Sequence, residues 1–185
     1  MKKLVSILLV ALMVFSIMLF TGCSSSSGGG IKTGLGHVIS IDSSKDATAD
    51  ADGVAQADVV MAAVSVDSKG KIVSVTIDTA QTTISFNAQG KITEDLKAEK
   101  ETKVELGPKY GMIKRSGIGK EWYEQIAELE KWMTGKTIDQ IKAMKVKAVD
   151  ENHQSVPDEP DLTSKVTISV EDYIAAVEEA VKNAK

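Results

Sequence analysis

Between Asp58 and Val66 the apolar residues alternate with a period of two, and beyond residue 120 they fall at helical spacing instead. That switch predicts a chain that builds its sheet first and packs helices on it afterwards. Val60, Ala62, Val64 and Val66 point one way from the first long strand, and Val59, Met61 and Ala63 the other. Both faces are apolar, which predicts a central strand. Asp67-Ser68-Lys69-Gly70 reads as a turn in which Gly70 takes positive φ. The next strand, "KIVSVTID", places Val73, Val75 and Ile77 on one face and Ser74, Thr76 and Asp78 on the other. "TTISFNAQGKI" predicts a third strand of the meander with Ile84 and Phe86 inward. Ahead of these, Gly36–Ile41 reads as a short first strand and 42–56 as a loop rich in Asp, Ala and Gly.

Trp122, Ile126, Leu129 and Met133 lie at i, i+4, i+7 and i+11, one continuous apolar stripe. Ser116 is placed to cap that helix and Gly135 to end it. Thr137 and Gln140 stand at capping-box spacing and open a short second helix. Residues 150–160, with Pro157 and Pro160, read as a loop. A last helix presents Val170, Tyr173, Ile174, Val177 and Val181 to the core. The predicted class is α+β: an antiparallel meander followed by helices.

The first 22 residues do not belong to that fold. Lys2 and Lys3 precede an apolar run from Leu4 to Phe20, which ends in Thr21-Gly22-Cys23. This order predicts an export signal that is removed on maturation. "LFTGC" resembles a bacterial lipobox, in which the cysteine is diacylated and becomes the new N-terminus. The resemblance implies a membrane anchor through diacylglyceryl-Cys23, on the outer face of the cytoplasmic membrane. Two acyl chains supply the two signals that stable anchoring needs. Cys23 is the only cysteine, so no disulfide can form within the chain. "SSSSGGG" (24–30) then reads as a flexible tether. The organisation is thus a signal peptide over 1–22, an acylated cysteine and tether over 23–34, and a single domain over 35–185.

The formal net charge of −4 falls further once Lys2 and Lys3 leave with the leader, and such a surface argues against a nucleic-acid partner. "DATADADG" (46–53) spaces Asp46, Asp50 and Asp52 before Gly53, but a calcium loop needs a bidentate Glu where Val59 stands. It reads as a solvated acidic loop. His37 and His153 are too few for a zinc site. Glycine-rich phosphate cradles and hydrolase signatures are lacking too.

Four aromatic residues crowd between Tyr110 and Trp132. Trp122 lies in the helical stripe and reads as core, whereas Tyr110 and Tyr123 are candidates to stack on a flat cofactor. Thr163, Ser164, Thr167 and Ser169 crowd into seven residues before the last helix. The bland account is a strand leading to a helix capped by Ser169. The sharper account is a phosphate site at a helix N-terminus, assisted by Lys165.

"DLTSKVTIS" followed by "DYIAAVEEAVKNA" resembles the C-terminal end of bacterial FMN-binding domains. These include the flavin subunits of sodium-pumping NADH:quinone oxidoreductases and Rnf complexes, and flavinylated lipoproteins of extracellular electron transfer. "VSVDSKGKIVSVTID" resembles that family's first hairpin. "YGMIKRSGIGKEWYEQIAELEKWMTGKT" resembles the middle of listerial and clostridial lipoproteins described as pheromone precursors. In the family, D-x-x-[ST]-G-A-T precedes the terminal helix, and its last threonine carries FMN through a phosphoester made by a separate FMN transferase. The matching residues are Asp161, Ser164 and Thr167, with Lys165 and Val166 standing where the family has Gly-Ala. The resemblance implies an electron carrier rather than an enzyme with its own substrate. Its covalent FMN would sit on Thr167, receiving electrons from a membrane quinone oxidase and passing them to an external acceptor. The alternatives are a non-redox binding lipoprotein of the same fold, or a precursor whose cleaved "FSIMLFTG" (15–22) is a peptide pheromone.

Overall fold

The computed structural model describes residues 30–185, so the expected leader, Cys23 and nearly all of the Ser/Gly run lie outside the described residues. Strands β1 (Lys32–Ser40), β2 (Gly53–Val66) and β3 (Ile72–Phe86) form one antiparallel sheet in the order β1-β2-β3. Helix α1 (Lys103–Leu106) follows, then 3-10 turns at Gly107–Tyr110 and Met112–Lys114, then α2 (Trp122–Met133) and α3 (Ile138–Lys142). A two-residue ribbon pairs β4 (Val146–Lys147) with β5 (Val156–Pro157), and α4 (Glu171–Asn183) closes the chain. The class is α+β, an antiparallel sheet followed by helices.

β2 is central, as its pattern predicts, but only one of its faces is covered. Val60, Ala62, Val64 and Val66 are buried, whereas Met61 and Ala63 face solvent. Two strand expectations need correction. "TTISFNAQGKI" does not start a third strand: β3 runs unbroken from Ile72 through Phe86, and Ile84 is exposed. Val73 does not point inward with Val75. The register slips between Ser65 and Val66, so that Ser65 pairs with Ser74 but Val66 with Ile72. Val73 is left over as a bulge and turned outward, while Ile72 and Val75 both enter the core. The turn is as read. Asp67 accepts from the amides of Lys69 and Lys71 at 2.8 and 2.9 Å, and Gly70 sits at φ +73°.

β1 begins at Lys32, inside the stretch predicted to be tether, because Gly34 and Gly36 are packing residues. A Cβ at Gly36 would lie 2.1 Å from the Ala176 carbonyl oxygen, and one at Gly34 2.0 Å from that of Ala180. Helix α4 turns its Ala176 and Ala180 toward this strand, with both buried. Backbone thus meets backbone along a seam of small residues, closer than any side chain would allow.

Side chains and neighbouring backbone engage part of both sheet edges, which would otherwise invite pairing with another chain. On β1, Glu179 accepts from the His37 amide at 2.6 Å, Asn183 donates to the Leu35 carbonyl at 2.9 Å, and Lys185 exchanges backbone bonds with Thr33. On β3, Glu130 of α2 accepts from the Ile77 amide at 2.7 Å, and Gly135 donates to the Ile72 carbonyl at 2.8 Å. Burial raises the Glu130 carboxyl above its usual 4.5, the Ile77 amide works against that shift, and Asp78 adds to it. A raised folded pKa means a contribution to stability that is complete below the usual value and is lost as pH rises through the folded value. We therefore expect Glu130→Gln, which keeps the acceptor without the charge, to be as stable as the parent or more so at neutral pH. Glu130→Ala orphans the Ile77 amide and should cost about 1–3 kcal/mol. Urea unfolding of both variants between pH 4 and 8 checks the signs.

Trp122, Ile126, Leu129 and Met133 are all buried, as the stripe predicts, together with Ile77, Leu162, Val166 and Val177. Ser116 does not cap α2; Glu121 stands at the N-cap, and its amide donates to Glu124 at 2.8 Å. Thr137 and Gln140 form the expected capping box. Ser169 does not cap α4 either. The N-cap is Val170, without a side-chain bond, and Ser169 Oγ accepts the Ser155 amide instead. Nor is "DLTSKVTIS" a strand: residues 160–165 coil into turns in which Thr163 donates to Glu159 and Val166 to Leu162. Helical turns win over β-branched propensity here because they bury Leu162 and Val166.

Candidate functional site

The four crowded hydroxyls part company in three dimensions. Thr163 and Ser164 lie exposed on the turn. Ser169 is spent on Ser155. Thr167 alone reaches the core wall, where Gln125 of α2 takes both of its donors. Gln125 Oε1 accepts the Thr167 amide at 2.8 Å and its hydroxyl at 3.2 Å.

Gln125 is itself fully buried, and its amide nitrogen is held by the Lys120 carbonyl at 3.2 Å and Ser116 Oγ at 3.3 Å, beside Met112 Sδ. A buried amide with every group satisfied fixes the geometry around it. Thr167 is therefore held with its hydrogen directed to Gln125 and its lone pairs free. Gln125 stands directly before Ile126 at the edge of the apolar stripe, and a polar residue there is the signal by which sequence reasoning could have found it.

Glu121, four residues before Gln125, is the second functional side chain that the sequence reading missed. It is buried, and its carboxylate accepts from the amides of Met112 at 2.8 Å and Ile113 at 3.2 Å. It ties the 3-10 turns to the start of α2 and so places Tyr110 and Arg115.

Those turns, Thr167 and the end of β3 enclose a cleft of about 440 Å3 lined by Gln81, Tyr110, Met112, Arg115, His153 and Thr167, among others. Its size lies within the range of roughly 300–1,000 Å3 typical of ligand pockets. A second cleft of about 350 Å3 adjoins it, sharing Gln81, Met112, His153 and Ile168. Asp58, Glu171 and Asp172 line this second cleft. Burial raises the Asp172 carboxyl, and the negative charges of Glu171, Asp42 and Asp58 raise it further. The combined groove therefore has a basic, hydroxyl-bearing end at Arg115 and Thr167 and an acidic end at Asp172.

The structure brings Thr167 and Tyr110 to one cleft, but not the other sequence candidates. Asp161 lines a separate depression with Lys131, Trp132, Lys136 and Lys165. Ser164 points from the exposed turn. Tyr123 packs against the core from α2 and lines neither cleft. Lys165 pairs with Glu128 at 3.3 Å, and Val166 is fully buried. Cys23 lies outside the described residues. Among the described residues, no helix is long and apolar enough to cross a membrane, and no three His, Cys, Asp or Glu side chains are grouped to hold a metal ion.

No family model, curated protein or solved structure matches the chain.

Proposed function

We propose that this chain is a membrane-anchored lipoprotein that carries FMN as a phosphoester on Thr167 and serves in electron transfer outside the cytoplasmic membrane. The observation that carries the reading is the fully buried Gln125 holding the Thr167 hydroxyl at the rim of a cleft. Of the four crowded hydroxyls, this is the one held by Gln125 and lining the cleft that contains Arg115; Ser169 lines the adjoining acidic cleft.

The residues fit the group. Arg115 lines the same cleft and offers a planar, always charged partner for phosphate oxygens. Tyr110 and Met112 supply apolar surface along the path of the flavin from Thr167. In the attachment step Thr167 Oγ1 forms the ester bond to the flavin phosphorus while the phosphoric anhydride bond of an activated flavin donor breaks, and the donor's other phosphate leaves as a monoester carrying the bonding electron pair. The hydroxyl proton passes to the transferase that catalyses the exchange, and Gln125 retains the Thr167 amide as its partner. The bound flavin would supply the redox chemistry, and the protein its position and electrostatics. Diacylglyceryl-Cys23 would hold the domain at the membrane, where a quinone oxidase and an external acceptor are its partners.

A second reading, a non-redox binding lipoprotein, draws on Lys165 and Val166. The lysine is paired with Glu128 and the valine is sealed in the core, at the two positions where FMN-binding domains have Gly-Ala. Mass analysis of protein from its native host separates the readings. We expect an FMN mass on the peptide containing Thr167, lost in Thr167→Val. That variant keeps the β-branched shape and the bond from its amide to Gln125, so its unfolding free energy should change by no more than about 1 kcal/mol. An unmodified Thr167 peptide in a host with an active flavin transferase would establish the non-redox reading.

A further inference from the structure

We infer that the acidic cleft next to Thr167 is the ring subsite of this protein, in which Lys103 and Thr79 meet the carbonyl edge of a planar heteroaromatic ring. The inference rests on the proposed attachment at Thr167 for the direction from which the ring arrives. Three observations carry it.

The first is continuity. The two clefts share Gln81, Met112, His153 and Ile168, so a ligand fixed by its phosphate at Thr167 has a path over Met112 and Ile168 into the second space.

The second is Lys103. Its ammonium lies 5.0 Å from the centroid of the Tyr110 ring and 5.5 Å from that of Trp122. Asp58, Glu171 and Asp172 line the same cleft as Lys103, yet among the described residues its ammonium forms neither a salt bridge nor a hydrogen bond. Aromatic faces thus hold a cation at the cleft wall with all three donors uncommitted. A carbonyl edge is the partner such donors lack.

The third is Thr79. It is 3% exposed and lines this cleft. Burial raises the pKa of the Tyr173 phenol and the Thr79 hydroxyl is close enough to work against that rise, yet it makes no hydrogen bond of normal geometry there. Buried hydroxyls are nearly always paired, so an orphan beside a cavity points to a group that the cavity receives. Electrostatics then sets the orientation. Phosphate is repelled from the Glu171 and Asp172 end and attracted to Arg115, so an uncharged ring occupies the acidic space.

The test uses the purified flavin-free protein with riboflavin, which has the ring and no phosphate. Trp122 lines the cleft and serves as reporter in a Trp132→Phe background, since these are the only two tryptophans. Saturable quenching by riboflavin is expected, with affinity reduced at least tenfold in Lys103→Met and in Thr79→Val and retained in Lys103→Arg. Arg115→Met should leave riboflavin affinity unchanged while weakening FMN. Thermal melts verify that each variant is folded. Absence of quenching, or equal riboflavin affinity in folded Lys103→Met and Thr79→Val, overturns the ring subsite. Attachment is read separately, by mass: riboflavin binding with an unmodified Thr167 would sink the covalent reading alone. A flavinylated Thr167 with Lys103 and Thr79 indifferent would sink the subsite alone.

Discussion

Gly36→Val should be among the most damaging single substitutions in this domain, at or beyond the upper end of the roughly 1–3 kcal/mol expected for overpacking. The added Cβ would sit 2.1 Å from the Ala176 carbonyl oxygen and 2.4 Å from the Ala180 amide nitrogen. Both are backbone atoms of α4, so no side chain can rotate aside. The helix must lift from β1, and lifting it also strains the bonds from Glu179 to the His37 amide and from Asn183 to the Leu35 carbonyl. The released edge strand then becomes a template for association. Urea unfolding should show the loss, and light scattering should show concentration-dependent aggregation. Gly70→Ala makes a useful contrast, since nothing lies within 4 Å of its added Cβ and the strain is confined to φ +73°. Equal stability of Gly36→Val and the parent would mean that α4 does not sit on β1 as described.

Trp122→Ala is expected to cost about 3–5 kcal/mol, the range for emptying a large aromatic site. Trp122 is 1% exposed and meets Tyr173 edge to face, with ring centroids 6.0 Å apart. Its indole nitrogen donates to the Tyr173 hydroxyl at 3.0 Å. Burial pushes the Tyr173 phenol up to about 12, the indole bond only partly offsetting it, so the ring stays neutral throughout the physiological range. Trp122→Phe keeps much of the packing but removes the donor, and should cost less than Trp122→Ala. A double-mutant cycle with Tyr173→Phe isolates the bond, because each single change leaves one buried polar group unpaired and the double change leaves neither. A coupling energy near zero in urea unfolding would show that packing alone joins α2 to α4. The same tryptophan lines the acidic cleft, so Trp122→Ala should also abolish riboflavin binding, read from the fluorescence of riboflavin itself because the tryptophan reporter is removed. The smaller Trp122→Phe change separates that loss from unfolding.

Much of the fold was legible because its signals are local. The alternation of Val60, Ala62, Val64 and Val66 determined which face of β2 is buried, and the Trp122 to Met133 stripe did the same for α2. Asp67 and Gly70 determined a turn through their own backbone bonds, and Thr137 and Gln140 a helix start. Each of these outcomes depends on groups within a few residues of one another. The leader and the acylated cysteine expected over residues 1–23 lie outside the described residues.

What the sequence misstated depends on partners far along the chain. Val73 keeps the alternation on paper, yet a one-residue slip against Ser65 and Val66 turns it outward. Ser169 has the right type and spacing for a cap, but the Ser155 amide competes for it. "DLTSKVTIS" has strand propensity and still coils, because helical turns bury Leu162 and Val166. The candidate site divides in the same way. Thr167 stood out in the sequence only as one of four hydroxyls and by resemblance to a motif. Its distinction comes from Gln125, 42 residues earlier in the chain, whose buried amide fixes one hydroxyl and ignores the other three. Lys103, Thr79 and Tyr110 likewise come from separate elements and carry no shared spacing. Local hydrogen bonds and periodic burial can be read from neighbouring residues. The positioning of a hydroxyl at a cleft is settled by which side chains the packed core brings to it, and only the tertiary structure decides that.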